Sequence, residues 1–165
     1  DIKLMRPIIG NKLIVAVRED SEYTDIDSLD QLVLMDRIAI ADPELAPAGK
    51  YARDALISTS IMDKISDKLI HGHDVRVALA YLEMGNVDAA IVYSTDMAAA
   101  TGVISKDLIP QTSYEPIVYL GVVIPRSETK KIALDYLDFL GNESTMRKLL
   151  SQGFSEIPPD YLMKN

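Results

Sequence analysis

The chain has 165 residues, with 17 Lys+Arg against 25 Asp+Glu, a formal net charge of -8 and no Cys. The acidic balance argues against non-specific nucleic-acid binding, and the lack of Cys excludes disulfides, thiolate metal sites and Cys nucleophiles. The length leads one to expect about one domain with a real core, and no apolar run reaches the ~20 residues needed to span a bilayer.

In chain order, residues 1–4 (Asp-Ile-Lys-Leu) do not form a signal peptide, so any targeting segment is expected to be absent or already removed. Residues 13–17 (Leu-Ile-Val-Ala-Val) read as a buried strand, and Ser28 can cap a short helix through Leu29, Leu32 and Val33. Residues 37–41 (Arg-Ile-Ala-Ile-Ala) are a second strand. Residues 47–56 then place Tyr51, Ala52, Ala55 and Leu56 at helical spacing. A short helix over 61–65 and a short strand over 68–71 follow. Asp74 is a good N-cap for a helix through Val77, Ala78, Tyr81 and Leu82, with Gly85 as its stop. Residues 88–93 are again a strand, and 116–124 is the longest extended run, ended by Pro125. Ile132, Tyr136, Leu137 and Leu140 mark a late helix, and Asn142 caps one more through Met146, Leu149 and Leu150. Alternating strand and helix predicts an α/β fold with a largely parallel sheet.

In such sheets ligands bind beyond the carboxyl ends of strands, near helix N-termini. Three places qualify. After the second strand, Asp42-Pro43-Glu44-Leu45-Ala46-Pro47-Ala48-Gly49-Lys50 sets Pro47 in a helix's first turn, and the small Ala48 and Gly49 leave its backbone N–H groups uncovered. The same pattern also suits an ordinary loop-to-helix junction. Gly72-His73-Asp74-Val75-Arg76 is a second helix start, with free N–H donors near Val75, or simply a capped core helix. Tyr93 closes a strand and can point its hydroxyl into a cleft or into water.

Residues 37–56 closely resemble a signature of the molybdate-binding proteins of ABC importers (ModA-like), as do Asp74-Val75-Arg76 and Ala89-Ala-Ile-Val-Tyr-Ser-Thr-Asp96. The end of the chain, 132–154, is similar to that family's C-terminal helices. The resemblance implies a type-2 periplasmic-binding-protein fold, in which two α/β lobes close on a tetrahedral oxyanion held by neutral donors. The ligand-binding groups it implies here are the backbone N–H of Ala48, the backbone N–H of Val75 and the hydroxyl of Tyr93. It implies residues 13–117 as the second lobe, with 1–12 and 118–165 as hinge and C-terminal pieces of the first. The family's two Ser-rich loops of the first lobe have no counterpart here, so an incomplete binding protein is expected. The orphaned apolar surface would favour self-association or a swapped dimer.

A donor-only site penalises a ligand that brings its own proton, which favours molybdate or tungstate over phosphate; sulfate must be rejected by size. No cofactor, no protein-coordinated metal and no catalytic residue is expected. The implied partners are the oxyanion and an ABC permease in the membrane, and the implied location is extracytoplasmic. Two other classes stay open: the ligand-sensing domain of a molybdate-responsive transcription regulator, and an enzyme of unknown class. His71-Gly72-His73 is only part of a coordination sphere. Ser94 lacks a Gly-x-Ser-x-Gly setting. Neither GxGxxG nor a P-loop occurs. Glu19-Asp20 reads as solvated, and Arg147-Lys148 is too small a basic cluster for nucleic acid.

Overall fold

A computed structural model describes residues 5–124 and 128–164. The expectations for residues 1–4 and for Pro125 as a strand stop therefore lie outside the described residues. The chain forms two compact units, one from Leu13–Glu115 and one from Asp1–Lys12 with Pro116–Asn165.

The first unit is built on a five-stranded sheet. The strands are named here in order along the whole chain, in which Met5–Asn11 is β1. The sheet takes β2 (Leu13–Arg18), β3 (Ile38–Ala41), β4 (Leu69–Gly72), β5 (Ala89–Tyr93) and β6 (Val103–Lys106), in the spatial order β4-β3-β5-β2-β6. β3 runs parallel to both β4 and β5, with Ile38 opposite Leu69 and Ala89. β2 runs against both its neighbours, pairing Leu13 with Tyr93 on one side and Val15 with Lys106 on the other. The expectation of a largely parallel sheet is thus corrected to a mixed one. Periodicity reports that a segment is a strand, and burial of both faces reports only that it is interior; neither reports direction.

Two longer helices cover this sheet. α1 (Pro47–Ser58) packs against β2, β3 and β5. A short helix, α2 (Met62–Ile65), follows it, and α3 (Val75–Glu83) then packs on β2, β3, β4 and β5. α3 buries Ala78, Leu79 and Leu82 in one cluster with Ile14, Ala16, Ala39, Ala90 and Val92. The alternate strand residues Leu13, Val15, Val17, Ile38, Ile40 and Ile91 are buried as well. A strand turns successive side chains to opposite faces, so these fill the other layer. Gly85 ends α3 with a φ of 72°, a conformation that a side chain would strain. At the two ends of the unit, the Leu13 N–H donates to the Tyr114 hydroxyl at 3.0 Å. The Tyr114 ring also meets that of Tyr51, at a centroid distance of 6.1 Å.

The second unit holds a two-stranded antiparallel sheet of β1 (Met5–Asn11) and β7 (Ile117–Val122). The register slips between Pro7 and Ile9, where proline has no N–H for the ladder. β1 is not expected from the sequence, because Pro7 and Gly10 interrupt its pattern; at seven residues it, and not β7 with six, is the longest strand described. α4 (Lys130–Leu140) lays Ala133, Leu134, Leu137 and Leu140 against Ile8 and Val123. Its other side exposes Ile132, Tyr136 and Phe139, the last two rings stacked at 6.2 Å. α5 (Glu143–Ser151) is capped by the Asn142 side chain, which accepts from the Thr145 N–H at 2.9 Å, and α6 (Pro159–Lys164) follows. No helix of the described residues is long and apolar enough to cross a membrane.

Candidate functional site

Because β4, β3 and β5 are adjacent and parallel, their carboxyl ends share one edge of the sheet. Ala41, Gly72 and Tyr93 are the last residues of those strands. The loops carrying all three sequence-predicted residues therefore leave the same edge. The first two are tied there directly, since the Asp42 N–H donates to the Gly72 carbonyl at 2.7 Å.

α1 starts immediately over the end of β3. Pro47 occupies its first position with no side-chain cap ahead of it, and Ala48 and Gly49 are both buried. A Cβ on Gly49 would stand 2.1 Å from the Ala41 carbonyl oxygen, so only glycine allows this approach. Among the described residues, the Ala48 amide makes no hydrogen bond. Ala48 is 3% exposed, so a group reaching its N–H must enter a recess.

At the start of α3, the Asp74 carboxylate accepts from the Val77 N–H at 2.9 Å. That hydrogen bond holds the Asp74 pKa below the usual carboxylate range. The Val75 amide lies beside this cap and likewise makes no hydrogen bond among the described residues. Val75 packs its side chain on the α3 cluster. Two helix starts thus aim N–H donors and partial positive charge past one sheet edge, an arrangement suited to an anion.

Tyr93 is half-buried at the end of β5. Its backbone N–H donates to Asp96 Oδ2 at 3.0 Å across a 3-10 turn, Ser94–Ala99. The other Asp96 oxygen lies 3.4 Å from Arg76 Nε on α3. Burial pushes the Asp96 carboxyl up, opposed by the Tyr93 N–H and by the Arg76 charge. Asp96 ends the 89–96 stretch, and the sequence alone assigns it no part in the site. The available signal was a carboxylate three residues beyond a strand end, a spacing that lets a side chain bond back to the backbone.

Of the remaining motifs, His71-Gly72-His73 lies at this same edge, at and just past the end of β4. His73 is 80% exposed and 3.8 Å from Asp74. Among the described residues, no group of three or more His, Asp or Glu could hold a metal ion. Asp20 is paired with Arg18, and Arg147 with Glu143 one helical turn away.

The comparisons with known proteins agree with this architecture. The model of a family of bacterial extracellular solute-binding proteins matches residues 4–155, and the chain belongs to that family. It is 32% identical over 148 residues to a Bacillus subtilis lipoprotein described as the substrate-binding part of an ABC transporter, covering 90% of this chain and 56% of the relative. It is 31% identical over 152 residues to the molybdate-binding protein ModA of Haemophilus influenzae, covering 90% of this chain and 59% of ModA. The chain therefore spans somewhat more than half the length of these curated relatives. Among solved structures, a substrate-binding domain assigned to a molybdenum ABC transporter of Clostridium difficile superposes with a TM-score of 0.86 at 26% identity. That match covers 94% of this chain and 68% of the other. The fold is that of ModA-type periplasmic binding proteins.

Proposed function

We propose that the chain serves as the solute-binding component of an ABC importer for molybdate or tungstate, and that the amides of Ala48 and Val75 and the hydroxyl of Tyr93 hold the oxyanion. The observation that carries this reading is the shared sheet edge: two helix starts with uncommitted amides and a tyrosine, all beyond the carboxyl ends of three adjacent parallel strands. The names of the relatives supply the ligand class, since one is a molybdate-binding protein. In this reading residues 13–117 are the second lobe and carry half of the donors, and 1–12 and 118–165 belong to the first. The extracytoplasmic location and the membrane permease as partner belong to the same proposal.

Three neutral donors stabilise a hydrated dianion only modestly, because each hydrogen bond nets ~1 kcal/mol. Isothermal titration of the 165-residue chain with molybdate is expected to give a dissociation constant weaker than micromolar, and Tyr93→Phe is expected to weaken it about fivefold further. Nanomolar binding by this chain, or an unchanged constant for Tyr93→Phe, would count against the donor assignment. Self-association through the exposed Ile132, Tyr136 and Phe139 strip is part of the proposal, since such strips seek cover. Sedimentation velocity at rising concentration is expected to show dimer; a constant monomer removes that part.

A further inference from the structure

Resting on the oxyanion reading above, we propose that Asp96 is a positioning residue of the site, and that its contact with Arg76 joins the Tyr93 end of β5 to the start of α3. The geometry is a bridge through one carboxylate. Oδ2 accepts the Tyr93 N–H at 3.0 Å, and Oδ1 faces Arg76 Nε at 3.4 Å. Arg76 directly follows Val75, and Asp96 stands three residues after Tyr93. The pair thus links the backbone that carries one proposed donor to the backbone that carries another.

Burial shows that Asp96 is not an incidental surface acid. Its side chain is 7% exposed, while that of Arg76 is 62% exposed. A carboxylate taken out of water needs compensating partners, and here they are one backbone N–H and one guanidinium. The guanidinium has a second consequence. An unmatched carboxylate near the donors would repel a dianion, and Arg76 cancels that charge without having to touch the ligand. The cation that the donor set itself lacks is therefore spent one layer out, on Asp96.

The test uses the full chain and two readouts. Residue-resolved amide hydrogen exchange is measured without ligand in the wild type, Asp96→Ala, Asp96→Asn, Arg76→Gln and the Arg76→Gln/Asp96→Asn double variant. Each variant is first checked for a native circular dichroism spectrum. Asp96→Ala is expected to speed exchange of the Tyr93 amide at least tenfold, whereas Asp96→Asn, which keeps an acceptor oxygen, stays within threefold. Unchanged Tyr93 exchange in Asp96→Ala overturns the proposal. Sodium molybdate is then titrated while the Val75 and Tyr93 amide resonances are followed. Arg76→Gln is expected to weaken binding several-fold, and the double variant, a neutral pair, to recover most of that loss. Additive losses overturn the charge-matching role. A wild-type chain with no molybdate-induced shift would fail the oxyanion reading instead, and the exchange data would still decide whether Asp96 positions Tyr93.

Discussion

Gly49→Ala is expected to destabilise the protein by about 3 kcal/mol, at the upper end of the overpacking range, and to displace the start of α1. The added Cβ would meet the Ala41 oxygen at 2.1 Å and the carbonyl carbons of Ala41 and Asp42 at 2.7 Å. All three are backbone atoms of the β3 end and the loop after it, so no side chain can swing away. The helix must lift, carrying the Ala48 amide with it. Gly121→Ala is the useful contrast, because its new Cβ would meet chiefly Leu137 Cδ2, the far end of a flexible side chain. Urea denaturation should show a much larger fall in midpoint for Gly49→Ala than for Gly121→Ala. Wild-type stability for Gly49→Ala would mean that α1 does not sit as closely on β3 as described.

Leu82→Ala is expected to cost about 2–5 kcal/mol, the usual loss when a buried leucine leaves a cavity. Leu82 is fully buried in the last turn of α3, in one cluster with Ile14, Ala39, Ala90 and Val92. Those residues come from β2, β3 and β5, so the cavity would lie between the helix and three strands at once. α3 holds Val75 and Arg76 at its other end, and loosening its C-terminal turn should also broaden the Val75 amide resonance. Met84→Ala, two residues on and 70% exposed, should change stability by no more than about 0.5 kcal/mol. Denaturation midpoints of the two variants decide the matter; equal losses would show that burial is not what separates them.

How much of this was legible in the sequence depends on the kind of fact. β2, β3 and β5 are runs of buried apolar residues, and such runs announce themselves. The starts of α1 and α3 are marked by Pro47 and Asp74, whose chemistry is local. For the same reason the sequence places Ala48, Val75 and Tyr93 at strand ends, although their role toward a ligand remains the proposal made above. β6 is not legible because it is four residues long and partly exposed, with Ser105 and Lys106 breaking its apolar pattern. β1 is hard to read because Pro7 and Gly10 interrupt its pattern, and its partner β7 lies more than 100 residues away. The reversed direction of β2 and the insertion of β5 between β2 and β3 are likewise non-local, and no period in the chain encodes them. Asp96 falls between these cases: its bond to Tyr93 is local, but its approach to Arg76 depends on how α3 lies on the sheet.

The hydrogen bond from the Leu13 N–H to the Tyr114 hydroxyl has a topological consequence. Leu13 and Glu115 are where the polypeptide enters and leaves the larger unit. One side chain spans the distance between entry and exit, so the unit is a closed circuit whose two ends share a doorway. A segment with this property can be grafted into a host loop with little distortion, because its two ends leave within the reach of one tyrosine side chain and a hydrogen bond. The entropy of closing a flexible loop grows only with the logarithm of its length, so lengthening a surface loop between Leu13 and Tyr114 adds little cost and leaves the clasp in place.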